Sequence, residues 1–85
     1  MEIIFAPKAY QDLVWWKTTG KVKIQKRISD LITSIQETPF TGIGKPEALK
    51  YDLSGCWSRR INQEHRLIYE VKEAEVHILS LRDHY

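Results

Sequence analysis

Residues 56–71 read CWSRRINQEHRLIYEV, and this stretch carries the pattern that decides the fold. Side chains alternate with a period of two over residues 56–61, the polar triplet 62–64 follows, and the alternation resumes over residues 65–71. Two such runs on either side of a polar turn are typical of an antiparallel pair of strands. The stretch therefore predicts a β-hairpin.

Three other segments have the same character. Residues 76–85 read VHILSLRDHY and predict a long last strand, and residues 49–53, LKYDL, predict a short strand ahead of the hairpin. At the other end of the chain, residues 2–5 are short, apolar and β-prone, so they also predict a strand.

The chain between residues 7 and 38 changes to a helical period. Pro7 suits the first turn of a helix and Gly20 its C-terminal stop. The residues at helical spacing in this first helix are Tyr10, Leu13, Val14 and Trp16 or Lys17. A second helix ends before Pro39, and its apolar stripe consists of Ile24, Ile28, Leu31, Ile32 and Ile35.

The order strand, helix, helix, then antiparallel strands predicts an α+β fold with both helices on one face of a mainly antiparallel sheet. We expect a single domain over residues 1–85, because the chain has no repeat and no linker-like segment. Residues 41–46, TGIGKP, are predicted to be a flexible connector, since their glycine spacing matches no phosphate-binding loop.

Composition excludes several classes of protein. The 85 residues are 42% apolar and 28% charged, which is ordinary for a globular domain, and the net charge of +2 is weak evidence for a nucleic-acid partner. No stretch is long enough to span a bilayer, and no secretory signal is recognisable. The one cysteine, Cys56, cannot form an internal disulfide, so we expect a cytoplasmic protein.

Alternation also sorts the charged side chains by face. If the helices cover one face of the sheet, the other can present Arg66, the end of the last strand at His84, and either Arg60 or Arg59. Parity alone does not fix the register between strands. The sharing of one face by these side chains is therefore a hypothesis at this point.

Each candidate has a plain structural alternative. His84 suits a general acid near pH 7, with His65 at a turn and His77 in mid-strand as rivals, but a terminal histidine is more often solvated. Glu47 can act as a base beside basic residues, and Glu64 is its rival. The histidines lack zinc-ligand spacing, so no metal is predicted.

The basic and aromatic side chains are equally ambiguous. Arg60 and Arg66 suit bidentate phosphate binding, yet strand arginines more often only solubilise a surface. Lys50 can add a phosphate contact or merely a charge, and Tyr85 can stack on a base or pack against the sheet.

A set of motifs, taken together, is far more specific than any one of them. The chain resembles the YoeB toxin family, within the RelE-like group of bacterial toxins, from its first strand to its last residue. One departure is Cys56, where the family commonly has an aromatic residue. The residues that carry the resemblance are Thr38-Pro39-Phe40, Gly42, Gly44-Lys45-Pro46-Glu47, Leu49-Lys50, Leu53-Ser54-Gly55, Trp57-Ser58-Arg59-Arg60-Ile61, Glu64-His65-Arg66-Leu67-Ile68-Tyr69 and His84-Tyr85.

The resemblance implies a microbial-ribonuclease-like fold and the toxin of a type II toxin–antitoxin pair. Such a toxin is expected to cleave mRNA in the ribosomal A site without a metal or cofactor. Its expected partners are the mRNA on the ribosome, a YefM-like antitoxin and a second toxin copy, with operator DNA reached only through the antitoxin and no membrane.

Roles for single residues follow from the same resemblance. By position, Glu47 is expected to be the general base, Arg66 the transition-state stabiliser and His84 the general acid, with Tyr85 positioning the nucleotide. The residues expected to bind substrate phosphates are Lys50, Arg60 and Arg59.

Two other functions stay open on the residues alone. The same arginines would serve a non-catalytic module that binds RNA or the ribosome. Alternatively, exposed tryptophans would make the chain an interaction subunit, in which the arginines matter little.

Overall fold

A computed structural model describes residues 1–83 of the chain. His84 and Tyr85, expected as general acid and nucleotide-positioning residue, lie outside the described residues. Two helices are found in the described range, α1 (Pro7–Thr18) and α2 (Val22–Glu37). The strands there are β1 (Glu2–Phe5), β2 (Glu47–Ala48), β3 (Trp57–Arg60), β4 (Arg66–Lys72) and β5 (Glu75–Asp83).

The described strands form one sheet in the order β1-β5-β4-β3-β2. β1 runs parallel to β5, while the β2–β3, β3–β4 and β4–β5 pairs are antiparallel. The predicted hairpin is β3–β4, and its turn is closed by Asn62, whose Oδ1 accepts from the backbone N–H groups of Glu64 and His65. The α+β fold with a mainly antiparallel sheet is confirmed.

The core lies between the helices and one face of the sheet. The predicted stripe of α2 is confirmed, with Ile28, Leu31 and Ile35 buried. These side chains and those of α1 pack against Leu67, Tyr69, Val76, Ile78 and Leu81 of β4 and β5. Within the described range, neither helix combines the length and apolar character needed to cross a membrane.

The inward face of α1 differs from the one expected. Leu13 and Trp16 pack into the core as their spacing suggested, but Tyr10 and Val14 are 60% and 42% exposed, and Ala9 and Asp12 are buried in their place. The spacing of apolar residues did not predict Asp12 because its carboxylate, like the indole N–H of Trp16, bonds to the backbone of β5. Hydrogen bonds to the sheet, as well as apolar area, therefore orient this helix.

The expected strand over residues 49–53 is wrong. β2 ends at Ala48, and Tyr51–Leu53 forms a turn of 3₁₀ helix. Tyr51 has φ of 59°, in the left-handed region, which interrupts an extended chain. Leu49 and Leu53 fold inward onto Ile68 in a small second cluster, whereas Tyr51 is 91% exposed.

Cys56 belongs to that second cluster, on the face of the sheet away from the helices. Burial, followed by the neighbouring Glu70 carboxylate, raises the pKa of its thiol above the ordinary value of 9.0. Because the folded-state pKa is the higher one, the contribution to stability is complete below pH 9.0 and is lost as pH rises through the folded-state pKa.

We therefore expect Cys56→Val to show a smaller loss of stability above pH 9 than the native chain. Urea unfolding at a series of pH values, followed by tryptophan fluorescence, measures this difference. Equal alkaline losses in both proteins would show that the thiol does not contribute.

Candidate active site

The register of the sheet places three charged side chains on the face away from the helices. Arg60 pairs with Arg66 across β3–β4, and Glu47 pairs with Ser58 across β2–β3. Ser58 and Arg60 share a face because they are two residues apart on one strand. The hypothesis that Arg60 and Arg66 share a face is thus confirmed, and Glu47 joins them.

Glu47 of β2 and Arg66, the first residue of β4, form an ion pair. Glu47 Oε1 lies 3.8 Å from Arg66 Nη1, and the two side chains are 63% and 17% exposed. The Glu47 carboxylate is therefore accessible to a ligand, while the Arg66 side chain is mostly buried. This arrangement offers a proton acceptor beside a fixed positive charge.

A shallow cavity of about 250 Å³ adjoins this pair and is lined by Lys45, Pro46, Glu47 and Arg60. A slightly larger cavity, about 280 Å³, lies between the helices, and its lining is mostly apolar. Phosphate recognition needs convergent cations. The smaller, charged cavity is therefore the candidate site.

Arg59, expected to bind substrate, has a structural role instead. Its side chain is fully buried on the helix face of the sheet. A guanidinium has five N–H donors, and here they meet five acceptors. These are the hydroxyl oxygens of Tyr69 and Ser34 and the carbonyl oxygens of Ile43, Thr38 and Thr41. No donor is left for a phosphate, so Arg59 is excluded from the candidate site.

Arg59 explains why residues 41–46 are not a flexible connector. Two of its acceptors, the carbonyl oxygens of Thr41 and Ile43, lie in this loop. The carbonyl of Gly44 also accepts from the backbone N–H of Arg60 at 2.7 Å. Gly44 has φ of 86°, and a Cβ there would lie 2.6 Å from Leu31 Cδ2, so the close approach requires glycine. The loop thus holds Lys45 and Glu47 in place.

The structure does not bring every predicted residue together. Lys50 is exposed just beyond β2 and is outside the described residues that line the charged cavity. Asp83, the residue before His84, pairs with Arg66 across β4–β5. The expected roles of His84 and Tyr85 remain predictions, since both residues lie outside the described range.

The rival histidines have other surroundings. His65 was expected at a solvated turn, but it is 7% exposed and its ring lies edge-on to Trp16 at 5.1 Å. His77 Nε2 lies 3.0 Å from Glu75 Oε1, on the opposite end of β5 from Asp83. Over residues 1–83, no three His, Cys, Asp or Glu side chains are grouped to hold a metal ion.

Two residues that the structure gives a defined role, Lys45 at the site and Asp12 behind β5, were not singled out from the sequence. Lys45 has φ of 52° and contributes to the charged cavity. Its position in a loop was a usable signal, because loops lie on the surface and often carry binding residues. Asp12 gave no signal, since an acidic residue within a helix ordinarily faces solvent.

The fold of the described residues, two helices packed against a mixed sheet, is that of the RelE-like toxins. The model for the family described as "YoeB-like toxin of bacterial type II toxin-antitoxin system" matches residues 5–85. Toxin YoeB of Synechocystis sp. is 49% identical over 85 residues, covering all of this chain and 98% of that relative. The chain belongs to the YoeB-like toxin family, which confirms the resemblance.

Solved structures agree with this assignment. A YoeB/ParE toxin from Agrobacterium tumefaciens superposes with a TM-score of 0.95 at 38% identity, with full coverage of both chains. A YoeB dimer from Staphylococcus aureus gives 0.91 at 42% identity, covering all of this chain and 98% of that one. In a heterotetrameric YoeB–YefM complex, the S. aureus toxin gives a TM-score of 0.89, with the same identity and coverage.

Proposed function

We propose that this toxin is an endoribonuclease that cleaves mRNA in the ribosomal A site without a metal ion. The observation that carries the proposal is the ion pair between Glu47 and Arg66, with Arg60 across the β3–β4 ladder. A base beside two guanidinium groups fits a phosphodiester that has an adjacent hydroxyl. RNA has that hydroxyl and DNA lacks it.

In the proposed mechanism, the Glu47 carboxylate takes the proton of an RNA 2′-hydroxyl. The 2′-oxygen then forms a bond to the adjacent phosphorus, and the bond between phosphorus and the 5′-oxygen breaks. His84 donates a proton to the departing 5′-oxygen. The products are a 2′,3′-cyclic phosphate and a free 5′-hydroxyl, so atoms and charge balance without a co-reactant.

The arginines supply the electrostatic part of catalysis. Negative charge grows on the non-bridging phosphate oxygens during the attack, and donors fixed in advance stabilise it most effectively. Arg66 lies 3.8 Å from Glu47 and is mostly shielded from solvent, while Arg60 and Lys45 line the adjoining cavity. We assign charge stabilisation to Arg66, phosphate contacts to Arg60 at the cavity and to Lys50 beyond it, and positioning of the nucleotide to Tyr85.

The proposed partners follow the toxin's relatives. The S. aureus toxin is found as a dimer and in a heterotetramer with YefM. We propose that this chain also forms a homodimer, is neutralised by a YefM-like antitoxin, and meets operator DNA only through that antitoxin. We also propose a cytoplasmic location, because the proposed target is mRNA on translating ribosomes.

The proposal is tested by primer extension on an mRNA programmed into ribosomes. The purified chain is expected to cut in the A-site codon, to cut much less without ribosomes, and to leave a matched mRNA with a 2′-deoxy nucleotide at the scissile position intact. His84→Ala serves as the variant lacking the general acid and is expected to lose cleavage while staying folded.

The other outcomes decide among the alternatives. Salt-dependent ribosome binding without any cleaved product would support a non-catalytic module. Cleavage of the 2′-deoxy mRNA would contradict attack by the 2′-hydroxyl. Full activity of a folded His84→Ala protein would contradict its assignment as the general acid.

A further inference from the structure

The last part of β5 is irregular beside the proposed site. Arg66 pairs with Asp83 and Ile68 pairs with Ser80, so two steps along β4 correspond to three along β5. Leu81 falls within this irregular span. Bulges of this kind change the direction of a strand and are common next to active sites.

Both backbone polar groups of Leu81 are bonded to side chains of α1. Its N–H donates to Asp12 Oδ2 at 3.0 Å, and its carbonyl accepts from Trp16 Nε1 at 2.8 Å. Asp12 and Trp16 are four residues apart and therefore lie on one face of the helix. Both are nearly inaccessible, with exposed fractions of 6% and 2%.

Further contacts reinforce the same connection. Lys8 Nζ donates to Asp12 Oδ2 at 2.7 Å and to Ser80 Oγ at 3.0 Å. The Arg82 guanidinium stacks over the Trp15 ring, 3.6 Å from its centroid. Three consecutive residues of β5 are thus contacted by α1 just before the strand reaches Asp83, the partner of Arg66.

We propose that Asp12 and Trp16 are positioning residues for catalysis, which fix the bulge and so set the course of β5 toward Arg66. This inference rests on the proposed function, because it assigns the two side chains a role in aligning the catalytic groups. Neither residue touches the charged cavity, so they act through the backbone of Leu81. A displacement of about 1 Å in a catalytic group can lower a rate by about 10²-fold.

The test compares two substitutions at one position. Asp12→Asn keeps an oxygen that can accept from Leu81 and loses only the charge opposite Lys8, whose side chain is 57% exposed. Asp12→Leu has a similar volume and no acceptor. We expect Asp12→Leu to lower kcat for ribosome-dependent cleavage by about 10–100-fold with little change in KM, and Asp12→Asn to retain near-native kcat.

Two further variants separate positioning from general loss of stability. Trp16→Phe keeps an aromatic side chain but removes the indole N–H together with part of the buried volume, so it should lower both kcat and stability. Ile35→Ala opens a cavity beneath α2 and leaves both hydrogen bonds of Leu81 in place, so it should lower the unfolding midpoint without lowering kcat. All rates are measured at a temperature where each variant is folded.

A second readout does not depend on activity. Amide exchange at Leu81 should be about tenfold faster or more in Asp12→Leu, and near native in Asp12→Asn, since one buried hydrogen bond is lost only in the former. Unchanged kcat and unchanged exchange in a folded Asp12→Leu protein would overturn the inference. If the native chain cleaves no mRNA, the proposed function fails, and the exchange measurement still shows whether α1 fixes the bulge.

Discussion

Replacing Glu47 by glutamine is expected to lower the rate of ribosome-dependent mRNA cleavage by about 10²–10⁴-fold, the usual contribution of one general base. Glutamine has nearly the same shape, but it cannot take the proton of a 2′-hydroxyl. Because the Glu47 side chain is 63% exposed and its ion pair with Arg66 spans 3.8 Å, the substitution should leave folding almost unchanged. Single-turnover cleavage on ribosomes, with unfolding measured in parallel, tests both statements.

Two controls make the result specific to this carboxylate. Glu37→Gln makes the same chemical change at the exposed end of α2 and should retain activity. Glu64 was the rival base, and the structure places it on the β3–β4 turn, 3.6 Å from His65 Nε2. An active Glu47→Gln protein together with an inactive Glu64→Gln protein would transfer the role of base to Glu64.

Replacing Arg59 by methionine is expected to lower the free energy of unfolding by about 3–5 kcal/mol. The substitution keeps apolar volume in the core and removes all five donors. The acceptors it leaves include the carbonyl oxygens of Thr38, Thr41 and Ile43, so the loop that leads to Glu47 also loses its anchor. Urea unfolding gives the free energy.

Arg60→Met is the matched control, since it changes the neighbouring residue on the opposite face of the same strand. The Arg60 side chain is exposed, so stability should change by no more than about 0.5 kcal/mol while cleavage is weakened. Arg59→Met should therefore lower the free energy of unfolding, whereas Arg60→Met should lower cleavage at nearly native stability. An Arg59→Met protein of native stability that binds RNA poorly would restore Arg59 to the substrate site.

These neighbouring arginines show where sequence reasoning reached its limit. Alternation established that one of them faces the helices and the other faces away, but it could not say which. The answer depends on the pairing of Arg59 with Leu67 and of Arg60 with Arg66, which is a property of two strands together. Arginine is also rarely fully buried in proteins, so the residue type gave no reason to expect Arg59 in the core.

The predicted strand over residues 49–53 failed for a related reason. Leu49 and Leu53 do point inward, as a period of two suggests, but a spacing of four also fits one turn of helix. The left-handed conformation of Tyr51 decided between the two possibilities. A short apolar pattern does not distinguish a strand from a turn of helix unless the surface that its side chains pack against is known.

By itself, the sequence determined the α+β class, the central hairpin, the buried stripe of α2 and the membership of a toxin family. Those properties depend on local periodicity and on residue identities along the chain. Only the tertiary structure decided that Glu47 meets Arg66, that Arg59 anchors a loop, and that Asp12 and Trp16 hold Leu81. The physical reason is that each of these contacts joins residues at least 16 positions apart, and strand register and the rotation of α1 determine which atoms meet.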